Sequence, residues 1–395
     1  MTSRLTEKDR FDSTERFNCT HDHRFSGSKM LDSQIWINGR LLTQSLSGAQ
    51  RYACQVIKRL PVGKVIVVLP GKPRPEYSEV QAVHGTAIRS LGRAQGLLAG
   101  HIWQQIALPW RLPRGSLLWS PSPSGPLFLR NQVLTIFDLG PYERSEWYSS
   151  IYASYYKSFL PLLATRASRL ITISEFSKQR IVDILKVPPE KITVTLLGVS
   201  DEFRPVATNI AREAAIKHHL DRPYILTVSA VSAHKNLKRL LSAWERVGSK
   251  DLLLAIVGQE SLSFAGEGGE IGQPVSGVRY LGRVHDDDLP ALYGGAIALA
   301  FPSLYEGFGL PVIEAMASGT PVLASNTAAI PEVLGEAGLM VDPYKVEDIA
   351  EGLRRIIQDT ELRVRLRQKG LARAKQFNWN RTAELTWKAL QDAQV

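Results

Sequence analysis

Glu306 and Glu314 are two carboxylates eight positions apart. The apolar run 296–301 before them reads as a buried strand. Gly307 and Gly309 punctuate a loop, and Pro311 suits the first turn of a helix that carries Glu314 and stops at Gly319. Glu306 is thus expected just past the carboxyl end of a strand, with Glu314 one turn into the next helix. In open α/β sheets ligands bind there. Between the carboxylates, Gly307, Phe308, Gly309 and Leu310 offer backbone N–H groups with little side-chain cover at a helix N-terminus. Such a geometry binds anions and sugar hydroxyls.

Three further positions fit the same chemistry. Lys235 follows an apolar strand ending near Ser229 and opens a helix, so its charge suits a phosphate that departs as an anion. Gly48 follows the first strand and precedes a helix, where a missing Cβ lets backbone approach a diphosphate. Gly282, Arg283 and Val284 close another strand. The acidic run Asp286, Asp287 and Asp288 opens a helix, and is read as capping and complementing its dipole rather than as a metal site. Cys19, His21 and His23 have no second cluster beside them in the tail and are read as a chance grouping.

From Glu306 to Glu314 the chain resembles the Glu-x7-Glu signature of retaining glycosyltransferases of family 4. The likeness continues through Gly319-Thr320-Pro321-Val322, Ala329-Ile330-Pro331-Glu332-Val333 and the stretch from Gly338 to Pro343, and it covers most of residues 34–395. The resemblance implies a hexosyltransferase of the GT-B architecture, two Rossmann-like domains facing each other across a cleft. It implies a nucleotide diphosphate sugar as co-substrate, no cofactor, no obligatory metal, and a leaving phosphate that takes the acceptor proton on the front face. Lys235, with His234 or Arg283, would stabilise the departing diphosphate. Glu306 and the Phe308–Leu310 backbone would hold the sugar hydroxyls, Glu314 the ribose, and the Gly282–Val284 backbone the nucleobase. Gly48 matches the glycine loop of the family's first domain, and Asp138 would support the site or the acceptor. The setting implied is O-antigen, lipopolysaccharide or other surface polysaccharide assembly, on a saccharide or lipid-linked saccharide acceptor.

Two positions depart from the family pattern. His234 replaces the arginine of an Arg-Lys-Asn element, and a neutral imidazole donates only one hydrogen bond. Phe137 stands where the family carries a histidine near the sugar's 6-hydroxyl. A 6-deoxy sugar such as rhamnose or fucose would set a methyl against that ring, whereas mannose or glucose would bury a hydroxyl. The same two departures leave open a non-catalytic nucleotide-sugar-binding protein of this fold.

The elements that must position these residues alternate. Apolar strands and intervening helices in both halves predict parallel sheets covered on both faces. The expected organisation is a disordered tail at 1–29 (or residues upstream of a start at Met30), an acceptor-side domain at 30–205, and a nucleotide-sugar domain at 206–378. By the same resemblance, a last helix at 379–395 would cross back to the first domain. A polar stretch from Pro205 to Pro223 reads as the linker between the halves. The apolar content of 44% and the length of 395 residues suit two cores. Two cysteines, no apolar run long enough to span a bilayer, and no secretory signal point to a reducing, cytoplasmic setting.

Charge is uneven. Residues 30–205 hold 21 Lys and Arg against 11 Asp and Glu, while residues 206–395 hold 21 against 22. Such a basic half attracts anionic surfaces. Nucleic acid is disfavoured, because no nucleic-acid motif accompanies the charge. Tyr148, Tyr152, Tyr155 and Phe159 recur at helical spacing, which suits either core packing or a helix lying on the inner face of a membrane.

Overall fold

Strands of Val, Ile and Leu with no polar alternation cannot face water, and here they build two parallel sheets buried by helices. The computed structural model describes residues 34–45, 47–85, 88–90, 97–229, 232–258 and 275–394. The tail at 1–29, with Cys19, His21 and His23, lies outside them.

The first sheet runs β1 (Ile35–Asn38), β2 (Val65–Leu69), β3 (Ile88–Ser90), β4 (Leu118–Ser120), β5 (Gln132–Thr135), β6 (Arg169–Thr172) and β7 (Ile192–Val194). Its spatial order is β3-β2-β1-β4-β5-β6-β7. The second comprises β8 (Tyr224–Val228), β9 (Leu253–Val257), β10 (Val278–Gly282), β11 (Ala298–Phe301), β12 (Val322–Ser325) and β13 (Leu339–Val341), ordered β10-β9-β8-β11-β12-β13. In each sheet the chain turns from one direction of growth to the other, between β1 and β4 and between β8 and β11. At such a point the loops after the two strands part and leave a crevice.

Residues Gln34–Val395 form one compact unit. One apolar cluster runs through both halves, and Phe377, Trp379 and Leu390 belong to it. The last helix, Trp379–Asp392, packs on helix Gly48–Ile57 and on β6 of the first half. Gly198 lacks a Cβ where Trp379 passes, and the Thr382 hydroxyl donates to the Leu196 carbonyl at 2.6 Å.

Three sequence expectations need correction. The stretch read as a linker contains helix Thr208–Lys217, which buries Ala211 and Ala214. Its large apolar residues, Ile210 and Ile216, are exposed rather than on the buried face, and that hid it. The acidic run does not cap helix Leu289–Gly295: Asp288 holds the cap position, but its carboxylate takes Lys217 at 2.7 Å and His218 at 3.1 Å. The helix Ser150–Arg166 begins after Tyr148, and its core face is Ala153, Tyr156, Leu160, Leu163 and Ala164. Tyr152 and Phe159 stay partly exposed instead.

Candidate active site

Lys235 follows β8 and Glu306 follows β11, so the crevice of the second sheet brings them together. Lys235 Nζ lies 2.6 Å from Glu306 Oε1, both side chains being largely shielded from solvent. The lysine also sits 5.1 Å from the centroid of the Phe301 ring. Its turn is pinned by Asn236, whose positive φ of 61° reverses the chain before helix Leu237–Val247. The Asn236 amide donates to the Pro302 and Pro343 carbonyls, at 2.9 and 2.7 Å. Leu304 N–H closes the turn on the His234 carbonyl at 2.7 Å.

The glycines of the next loop are required by close approach. A Cβ on Gly307 would lie 2.8 Å from the Phe137 carbonyl and 2.9 Å from Asp138 Cβ. The Gly307 carbonyl accepts from the Ser174 hydroxyl at 2.7 Å. The loop of the second half is therefore seated on the ends of β5 and β6. Gly309, at φ 104°, turns the chain into helix Leu310–Ala317. Phe308 is buried, edge-on to Phe377, and anchors the loop. Across the gap, a Cβ on Gly48 would stand 3.7 Å from Leu310, so Gly48 and Leu310 do meet.

Asp138 accepts the Gly140 N–H at 2.8 Å, and burial raises its pKa to about 6, the Glu306 carboxylate adding to the rise. Phe137 is half-buried with its ring edge-on to Tyr52 at 5.3 Å, and Ser177 donates to its carbonyl. Glu314 is buried, accepts the Tyr293 hydroxyl at 3.0 Å, and is raised in pKa by burial.

His234 does not supply charge. Burial and the neighbouring Lys235 lower its pKa to about 4, so it is neutral at ordinary pH. It lies beside Trp147, with ring centroids 6.2 Å apart. Gly282 turns the chain at positive φ at the end of β10, Arg283 is exposed, and Val284 is buried in the core.

Arg51 is a residue that sequence reasoning left without a role. It reaches from helix Gly48–Ile57 across the gap to Asp286 at 3.1 Å and to Glu314 at 4.0 Å. A cation early in a helix opposes the helix dipole, and that mismatch was the available signal. Ser174, Tyr293 and Glu332 were missed as well. Glu332, of the second half, accepts the Glu175 and Phe176 N–H groups at the start of helix Glu175–Leu185 at 2.9 and 3.1 Å. A shielded Lys235–Glu306 pair, with the buried Glu314 on the helix that follows, can hold a polyhydroxylated anion such as a sugar diphosphate.

Residues 210–373 match the family model described as "Glycosyl transferases group 1", and residues 46–203 that described as "Glycosyltransferase Family 4". The chain is 30% identical over 359 residues to the O-antigen chain mannosyltransferase B of Escherichia coli, covering 85% of this chain and 93% of that one. Among solved structures it resembles Anabaena Alr3699/HepE in complex with UDP and glucose, with a TM-score of 0.71, 17% identity, and coverage of 91% of this chain and 99% of that one. It also resembles WaaG, a glycosyltransferase involved in lipopolysaccharide biosynthesis, with a TM-score of 0.67, 16% identity, and coverage of 90% and 98%.

Proposed function

The chain belongs to glycosyltransferase family 4, with the GT-B architecture, and on that footing we propose that it moves a manno-configured hexose from a nucleotide diphosphate sugar to a saccharide or lipid-linked saccharide acceptor. The relatives named as mannosyltransferases support the configuration, and O-antigen or a similar surface polysaccharide is the product class they suggest. The observation that carries the reading is the Lys235–Glu306 pair at the switch point of the second sheet, facing Phe137 and Asp138 of the first across Gly307.

In this reading the pair holds its charges ready. An incoming diphosphate draws Lys235, and Glu306 turns to the sugar hydroxyls. Lys235 and the N–H groups at the start of helix Leu310–Ala317 then stabilise the departing phosphate, which takes the acceptor proton on the same face and so retains the anomeric configuration. Arg51 and Glu314 border the nucleotide side. The aspartates that invite a metal reading are turned to other partners: Asp286 to Arg51, Asp287 to His285, Asp288 to Lys217 and His218. That supports a reaction without cofactor or obligatory metal. A nucleotide sugar and a lipid-linked acceptor together suit the cytoplasmic face of a membrane, with the basic first half toward it.

The test is a panel of nucleotide sugars, mannose and 6-deoxymannose donors included, assayed for nucleotide release with and without saccharide acceptors and with and without EDTA. Turnover of a manno-configured donor, an unchanged anomeric configuration by NMR, and a rate within about twofold under EDTA are expected. Nucleotide binding without turnover of any donor would establish the non-catalytic alternative. Loss under EDTA restored by magnesium would overturn metal independence.

A further inference from the structure

We propose that the crevice of the first sheet, where β1 and β4 part, holds a second anion site built on Arg40, which receives a phosphate group carried by the acceptor. This rests on the transferase reading above.

Arg40 lies two residues past β1 and is 8% exposed. Among the described residues it meets no carboxylate. Its Nη1 reaches only two neutral partners, Gln104 Oε1 and His101 Nδ1, each at 3.4 Å, the long end of hydrogen bonding. Gly100 makes room for the guanidinium, since a Cβ there would stand 2.9 Å from Arg40 Nε. A buried cation without a counter-charge is costly, and such an arrangement asks for an anion.

The groups around it are short of acceptors. Gln104 is fully buried, and its Oε1 takes Asn38 at 3.2 Å, Ser124 at 3.3 Å and Arg40. Three donors on one oxygen fix the amide, and Gln104 Nε2 is left buried without a partner. The Tyr155 hydroxyl, close enough to feel the Arg40 charge, is also buried without a partner. His101 packs on Tyr155 at 5.1 Å and is held neutral by burial and by Arg40, its pKa falling to about 4. Guanidinium, amide N–H and phenol O–H thus lie in one buried neighbourhood, the last two without an acceptor, and a tetrahedral phosphate accepts from donors of all three kinds.

The donor diphosphate has its own place on the second sheet, beside Lys235. The Arg40 site is joined instead to the acceptor side. Tyr155 stands on helix Ser150–Arg166 with Tyr152 and Tyr156, whose rings lie 5.6 Å apart; Tyr152 stacks at 5.9 Å on Tyr148, which precedes the helix, and the Tyr156 hydroxyl donates to the Asp138 carbonyl. A saccharide passing the exposed Tyr152 ring would have its reacting end toward Asp138 and its phosphate toward Arg40.

Three acceptors with the same terminal mannose test this: an alkyl glycoside, a soluble alkyl phosphate and a lipid diphosphate. The wild type should show a KM lower by about 10- to 100-fold for both phosphate forms, the span expected of hydrogen bonds to a charged group. Arg40→Gln should erase that difference while leaving kcat and the KM of the alkyl glycoside within threefold. Tyr155→Phe should raise the phosphate-form KM about threefold or more, and it serves if Arg40→Gln fails to fold. Equal KM values for all three acceptors in the wild type would overturn the site. So would a gain confined to the lipid form that persists in Arg40→Gln. Calorimetry with inorganic pyrophosphate, at saturating nucleoside diphosphate, separates the two proposals. Binding lost about 10-fold or more in Arg40→Gln upholds the site even without transfer, and absent wild-type binding condemns it even with transfer.

Discussion

Lys235 and Glu306 neutralise each other at 2.6 Å, so removing the lysine both strips the crevice of its cation and leaves a shielded carboxylate alone. Lys235→Ala should lower kcat by roughly 10²–10³, the loss typical of one preorganised charge donor. A folded variant within threefold of wild type would dismiss the assignment. Asp138 makes a pH prediction. Its folded pKa of about 6 lies above the ordinary 3.8 because burial penalises the charge. The folded state therefore binds the proton more tightly, and stability from this group is lost as pH rises from about 4 through 6. Asp138→Asn should raise the melting temperature relative to wild type more at pH 7.5 than at pH 4.5; a difference constant with pH would refute it. Phe137 offers a third. A 6-hydroxyl against its ring costs about 1–3 kcal/mol if unpaired, so 6-deoxymannose should be favoured over mannose by roughly 10- to 100-fold. Phe137→His should reverse the order. Equal use of mannose by the wild type would end the idea.

At the scale of elements, the strands that are apolar throughout were legible because nothing else buries such a run: Val65–Leu69 and Leu339–Val341 stand where the composition puts them. So were the Gly307–Gly309 loop and Pro311 at the start of its helix, since glycine and proline carry backbone geometry in their own structure. Helix Thr208–Lys217 was not legible, because its few buried positions are alanines. Nor were the contacts that close the site. Arg51 and Asp286 are 235 residues apart, and Glu175 and Glu332 157, and no local pattern encodes such pairings. The Gly307 loop shows what closure demands. With 2.8 Å to a backbone carbonyl and 3.0 Å to Asp138 Oδ2, Gly307→Ala must push the two halves apart or strain the loop, at about 1–3 kcal/mol. A melting temperature lowered by a few degrees and a kcat/KM down about 10-fold or more are expected, with nucleotide binding alone little changed. Wild-type kcat/KM would show that the loop does not need this seat.

For the whole molecule, the basic excess of residues 30–205 has a structural focus. Among the described residues no helix is long and apolar enough to cross a membrane. Yet Leu97–Ile102, the π-helical turn Trp103–Ala107 and Leu108–Arg111 run as one helix that exposes Ile102, Ile106 and Trp110 at spacings of four, Trp110 being 87% exposed. Gln105 holds the loop that carries Phe128, 83% exposed, and Arg166 covers that ring. Arg111, Arg114 and Arg130 lie in the same stretch, and no Asp or Glu occurs from 97 to 137. Exposed aromatic and aliphatic side chains in a stretch rich in arginine suit an interface rich in acidic lipid, where each cation near the surface adds about 1 kcal/mol. Binding to liposomes should therefore rise with the fraction of anionic lipid and fall as salt shortens the screening length. Trp110→Ser should weaken it several-fold without shifting the melting temperature, because the side chain is 87% exposed. Affinity that is equal for neutral and anionic vesicles, or untouched by Trp110→Ser, would assign this face no part in membrane contact.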